Sequence, residues 1–187
     1  ATKEVCTGEI RQTLQRGNFQ LTRAEYLEMV RMKTAELFAL ACELGARLAN
    51  PNETAAPAAL REYGEQLGTA YQIYDDCVDV FGTEAKAGKS LGTDLATGKA
   101  TLPMLLALER ADEPERKSWL AMFKDGEVHA EAVRERLVTR EIPAACREVV
   151  AGYIAAAKAA LNELEGNTEP LQQLAGCLSA QLELLGD

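Results

Sequence analysis

Residues 67–81 read LGTAYQIYDDCVDVF. On a helical wheel Tyr71, Ile73, Tyr74, Cys77, Val78, Val80 and Phe81 cover most directions, so a helix here is expected to be buried on most sides. The same helix carries Asp75, Asp76 and Asp79, and no lysine or arginine lies between Leu67 and Phe81. Asp75 and Asp79 are four residues apart and stand one above the other. Asp76 lies about 100° round from Asp75. Three like charges on a largely apolar helix repel one another and are costly to desolvate. A hard divalent cation removes that difficulty. Mg²⁺ takes carboxylate oxygens together with waters and substrate phosphates, and carboxylates one turn apart can address a metal inside a helical bundle. The other reading is a set of helix caps or a solvated acidic stripe, which the apolar neighbours on both sides disfavour.

The stretch that follows, GKSLGTDLATGKATLP over 88–103, belongs to the longest expected loop, 82–101. It holds Gly82, Gly88, Gly92 and Gly98, with Lys86, Lys89 and Lys99, and Asp94 between the last two lysines. Lysine offers a compact positive charge for phosphate oxygens, and glycine lets backbone amides approach an anion. A solvated mobile loop would explain this stretch taken alone. A carboxylate cluster followed by a cationic glycine-rich loop is the pairing that a metal–diphosphate complex needs.

Further outward the chain reads as helices separated by short breaks. Residues 1–17 are expected to be helical. Thr22-Arg23-Ala24-Glu25 has the capping-box pattern, and a long helix should run from there to about Ala49. Leu27, Val30, Leu37, Ala41, Leu44 and Leu48 form its expected apolar stripe. A helix opened by Pro57 should reach Phe81. Shorter helices are expected over 103–112, 114–124 and 128–138. Two more follow, one from Pro143 to the Gly166-Asn167 break and a last one capped by Thr168. With no alternating strand pattern, repeat or linker, the fold class is all-α.

Composition excludes several functions. The chain has 187 residues, 47% of them hydrophobic, with 20 basic and 29 acidic side chains and a net charge of −9. That balance argues against nucleic acid or an anionic membrane as the main partner. No apolar run reaches the length of a membrane span. Five dispersed cysteines without a CxxC are expected as free thiols, which suits a cytoplasmic location. The single histidine, His129, sits in an acidic stretch and reads as a surface residue.

YQIYDDCVDVFG followed by GKSLGTDLATGKATLP resembles the second aspartate-rich region of the all-trans isoprenyl diphosphate synthases, the polyprenyl synthetases. EYLEMVRMKTAELFALACELGA, over 25–46, is similar to that family's helix with a Lys-Thr pair, here Lys33-Thr34. CTGEIRQ resembles the helix before it, and its Glu9 and Gln12 are closer in style to bacterial long-chain members. The resemblance implies a helical bundle of the isoprenoid synthase type. It implies a prenyltransferase that condenses an allylic diphosphate with isopentenyl diphosphate to make polyprenyl diphosphates, with Mg²⁺, or Mn²⁺ in its place, as cofactor. Asp75 would be a direct metal ligand, with Asp76 and Asp79 binding metal or its waters. Lys33 and Lys89 would contact the allylic diphosphate, Thr34 and Gln72 would line the same cavity, and Lys99 would add positive charge.

Members of the family are longer and carry a first aspartate-rich motif before the region matched here, whereas Asp75-Asp76 is the only adjacent aspartate pair in this chain. Residues 1–187 are therefore expected to be the C-terminal portion of one synthase domain, with little activity alone. The partner would be a second copy in a homodimer, or the N-terminal half as a separate chain. Two other readings compete: a non-catalytic subunit or homologue in a heteromeric synthase, and a class I terpene cyclase. The intact acidic trio with Gln72, Lys33 and Lys89 opposes the first of these. The Lys-Thr helix and the GKSLGTD loop oppose the second.

Overall fold

A computed structural model describes residues 1–88, 90–123, 130–162, 164–183 and 185, and these form helices and no strand. Lys89 and His129 lie outside the described residues. The helices are α1 (Thr2–Leu14), α2 (Arg23–Val30), α3 (Glu36–Ala49), α4 (Ala55–Phe81), α5 (Glu84–Ala87), α6 (Thr93–Ala96), α7 (Leu102–Arg110), α8 (Glu113–Ala121), α9 (Ala130–Thr139), α10 (Ile142–Ala160) and α11 (Glu169–Glu183). The 82–101 stretch is thus not featureless, since it contains α5 and α6.

α4 is the axis of the fold. It has 27 residues, packs against α3 on one side and α10 on the other, and α11 lies against α10. Its buried Tyr63, Leu67, Ala70, Ile73, Cys77, Val80 and Phe81 run through the core; of the seven wheel residues Ile73, Cys77, Val80 and Phe81 are buried, Tyr74 and Val78 are half-buried, and Tyr71 is exposed. Tyr63 donates its hydroxyl to the carbonyl of Leu171 at 2.8 Å, which ties α4 to α11. Arg61 bonds Glu36 and Glu43, which ties α4 to α3. All five cysteines are free.

The predicted long helix forms, but with a break in phase. Its start is the expected capping box: the Glu25 amide donates to Thr22 Oγ1 at 3.2 Å, and the Thr22 amide donates to the Glu25 carboxylate at 2.8 Å. Between α2 and α3, however, residues Arg31–Ala35 form one π-helical turn, in which the Glu36 amide reaches back to the carbonyl of Arg31. A π turn inserts a residue into the helical repeat. The apolar stripe extrapolated from Leu27 and Val30 therefore leaves the core beyond the turn. Leu37, Ala41, Leu44 and Leu48 are exposed, and Met32, Ala35 and Ala39 are buried instead.

Two glycines press neighbouring helices onto that turn. A Cβ on Gly8 of α1 would lie 2.8 Å from the backbone nitrogen of Lys33. A Cβ on Gly68 of α4 would lie 2.8 Å from the Cα of Ala35. Only a residue without a Cβ permits either approach. The π turn is clamped between α1 and α4, with Lys33 and Thr34 on it.

Candidate active site

Lys33 turns toward α1. Its ammonium donates to Gln12 Oε1 at 2.8 Å and pairs with Glu9 Oε2 at 3.1 Å. The GEIRQ segment thus supplies the partners of the lysine. The next residue turns the other way: Thr34 Oγ1 donates to Gln72 Oε1 of α4 at 2.7 Å. Gln72 in turn donates its amide nitrogen to Asp76 Oδ1 at 2.8 Å, one helical turn on. The second oxygen of Asp76 receives the phenol of Tyr26, from α2, at 2.6 Å. Thr34, Gln72, Asp76 and Tyr26 form one continuous network.

Asp76 is only 4% exposed, and its donors among the described residues, Tyr26 and Gln72, are both neutral. Burial pushes its carboxyl up to about 7. The two hydrogen bonds oppose that rise, and the nearby negative charges of Asp94 and Asp75 add to it. Burial also raises the Tyr26 phenol well above its ordinary value, helped by the adjacent charge of Asp76. Asp75 is half-buried.

The third carboxylate is engaged by the glycine-rich loop. Asp79 is buried, and its oxygens are turned onto that loop. Oδ1 accepts from the Thr93 amide at 3.3 Å and the Thr93 hydroxyl at 3.1 Å, and Oδ2 accepts from the Asp94 amide at 2.9 Å. The main-chain oxygen of Asp79 also accepts from Gly92 at 2.9 Å. The physical reason is local: a buried carboxylate is satisfied by the amides at the start of a helical turn, as an N-cap side chain is. Asp79 anchors the loop to α4.

That anchor carries Asp94 and Lys99 with it. Asp94 is buried, and its Oδ1 accepts from Lys99 Nζ at 2.6 Å. At the far end of the loop, the Gly17 amide donates to the carbonyl of Gly98 at 2.7 Å. The loop is thus pinned at both ends, with Asp94 close enough to act on Asp76.

Of the residues singled out in the sequence, Thr34, Gln72 and Asp76 are joined directly. Lys33 adjoins them on the π turn, and Asp79 and Lys99 belong to the loop attachment. Lys89 falls outside the described residues. Tyr26 and Asp94 were not singled out as site residues. Tyr26 looks like an ordinary core aromatic, and no local spacing marks its hydroxyl. Asp94 had a signal, its position in GTD between two lysines. Among the described residues no three acidic, histidine or cysteine side chains converge as a ready-made metal cluster. The arrangement still fits Mg²⁺, which commonly takes one or two protein carboxylates and completes its shell with water and phosphate oxygens. A buried aspartate whose charge is disfavoured, beside two more carboxylates, is relieved by a cation.

A sequence profile described as Polyprenyl synthetase matches residues 1–139. The chain belongs to the polyprenyl synthetase family. It is 35% identical over 137 residues to the short chain isoprenyl diphosphate synthase of Methanocaldococcus jannaschii, covering 73% of this chain and 41% of that protein. It is 37% identical over 134 residues to heptaprenyl diphosphate synthase component 2 of Bacillus subtilis, covering 72% and 36%. Its fold is similar, with a TM-score of 0.85 and 36% identity, to a polyprenyl synthase from Caulobacter crescentus CB15 solved with calcium and isoprenyl diphosphate, covering 95% of this chain and 56% of that one. The chain thus spans about half the length, or less, of the relatives it matches. The family assignment and the all-α isoprenyl synthase fold agree with the sequence reading, and bacterial long-chain synthases are among the relatives.

Proposed function

We propose that this chain supplies the diphosphate-gripping part of a Mg²⁺-dependent prenyltransferase, which extends an allylic diphosphate with isopentenyl diphosphate to a polyprenyl diphosphate. The observation that carries this reading is the buried Asp76, held by Tyr26 and Gln72 beside the Asp94–Lys99 loop, in a chain whose relatives are named as prenyl diphosphate synthases. Asp75 and Asp76 would hold the metal, which supplies charge neutralisation for the departing diphosphate. Asp79 sets the height of the loop, and so places Asp94 and Lys99, while Lys89 would contact the diphosphate. Lys33 and Lys99 are poised to exchange carboxylate partners for phosphate oxygens, and Thr34 and Gln72 line the path between them. When the allylic C–O bond breaks, the electron pair leaves with the diphosphate. The isopentenyl double bond then forms the new C–C bond, and one proton is lost. The apolar interior of the bundle keeps water from the cation.

The reaction is assigned to the assembly in which this segment works, a cytoplasmic homodimer or a pair of unlike chains. The second arrangement is favoured by one particular finding: two relatives are named as component 2 of a heptaprenyl diphosphate synthase. Calorimetry with Mg²⁺ and an allylic diphosphate analogue tests the reading. Binding that needs the metal and is lost in Asp75→Ala is expected. Binding indifferent to Asp75→Ala, or none, refutes it and favours a supporting subunit. A turnover assay of the 187-residue chain alone, with both substrates, is expected to give little product.

A further inference from the structure

We propose that Tyr26 is a positioning residue of the aspartate site: its phenol locks the carboxylate of Asp76 into the one orientation in which it can receive a cation. This rests on the proposed metal–diphosphate function and adds to it a residue from a different helix. A carboxylate is free to rotate about its Cβ–Cγ bond unless both oxygens are held. Here Gln72 donates to Oδ1 at 2.8 Å and Tyr26 to Oδ2 at 2.6 Å. An ionised carboxylate only accepts, so Gln72 must turn its NH2 to Asp76, which leaves its carbonyl oxygen to receive the Thr34 hydroxyl at 2.7 Å. Two donors on opposite oxygens fix the plane of the group and leave each oxygen a further lone pair with which to meet a cation.

The hydroxyl is not needed to fill space. Tyr26 is 2% exposed and its ring sits in the hydrophobic core, where a phenylalanine would occupy the same volume. Burying a phenol is costly unless it is bonded, and its described partner is Asp76 alone. Tyr26 also lies upstream of Lys33 and Thr34 on the same helical run, across the π turn. One run therefore bears both ends of the bracket around Asp76: Tyr26 directly, and Thr34 through Gln72. Groups of this kind, which hold a ligand rather than bind the metal, typically change metal affinity by 10–100-fold when removed.

The test is a double-mutant cycle on the full 187-residue chain, with Mg²⁺ and inorganic pyrophosphate as the probe and calorimetry as the readout. Tyr26→Phe is expected to weaken Mg²⁺-dependent pyrophosphate binding about tenfold, with helical circular dichroism unchanged. In an Asp76→Asn background the same substitution is expected to cost nothing further, because the group it orients has gone. A purely structural tyrosine would lower affinity equally in both backgrounds. That outcome, or wild-type affinity in Tyr26→Phe, overturns the proposal and leaves the functional reading standing. If the unsubstituted chain fails to bind Mg²⁺ and pyrophosphate, the functional reading itself falls and takes this inference with it. Should Tyr26→Phe alone not fold, comparing D76N with Y26F/D76N decides the matter: equal affinities are expected, and a further loss overturns the proposal.

Discussion

Asp76 carries two opposed demands. It is held in place by two neutral donors, and it is buried where its charge is disfavoured, with its carboxyl raised to about 7 against an ordinary value of 3.8. The consequence for stability has a definite sign. Between those two values the folded chain keeps a proton that the unfolded chain has released, so the folded state binds more protons and loses stability as pH rises. In metal-free buffer the folding free energy is expected to decline from about pH 4 to about pH 7, by an amount on the order of a few kcal/mol, and to flatten above. Asp76→Asn is expected to remove that part of the slope. Urea midpoints at pH 5 and pH 7.5, in chelator, measure both. A wild-type chain no less stable at pH 7.5 than at pH 5, once Asp76→Asn has been subtracted, would contradict the burial argument. Saturating Mg²⁺ is expected to flatten the slope too, by stabilising the ionised form.

At the scale of elements, the feature that positions the site is the contact of α1 and α4 with the π turn. Gly68 allows α4 to come within 2.8 Å, at a Cβ, of the Ala35 backbone. Gly68→Ala gains helix propensity, about 1 kcal/mol, but forces α4 off the turn that carries Thr34. Overpacking of that kind costs about 1–3 kcal/mol, so the net effect expected is a small loss of stability. The Thr34–Gln72 bond lies one turn further along α4, and it is expected to stretch. Mg²⁺-dependent diphosphate binding should therefore fall by more than the stability loss explains. Thermal unfolding and calorimetry on the same variant check this, and unchanged affinity would show that the clamp does not reach Gln72. The same element marks the limit of what the sequence made legible. Capping residues and the proline and glycine breaks placed nearly every helix, because those signals are local. The burial of α4 followed from its wheel. The π turn has no local signature, so a stripe projected at 3.6 residues per turn put Leu37, Leu44 and Leu48 in the core when they face outward. The attachment of Asp79 to the loop was not legible for a related reason. Spacing says which face a carboxylate occupies, but the amides that satisfy it come from residues 93 and 94, folded back by the loop.

At the scale of the whole molecule, the puzzle is how a chain of net charge −9 takes up a polyanion. Among the described residues, the cations that the site offers are already engaged: Lys33 with Glu9, and Lys99 with Asp94. Pyrophosphate arriving alone must displace those carboxylates while facing an overall negative field. Arriving with Mg²⁺, it brings the positive charge that the neutral donors Tyr26 and Gln72 do not give the buried Asp76. Affinity for pyrophosphate is therefore expected to fall about a hundredfold, ~2.7 kcal/mol, when Mg²⁺ is removed. The salt dependence of the residual binding gives a sharper signature. At 0.01 M salt the screening length is about 30 Å, against about 8 Å at 0.15 M, so repulsion from the whole molecule is felt most in dilute buffer. Metal-free binding is expected to weaken, or at best hold level, as salt is lowered, the reverse of a polyanion on an open basic patch. Titrations at the two ionic strengths in chelator measure it. Metal-free affinity that tightens on dilution would mean that the lysines leave their carboxylates unaided, and that the paired state is not what makes the site wait for a cation.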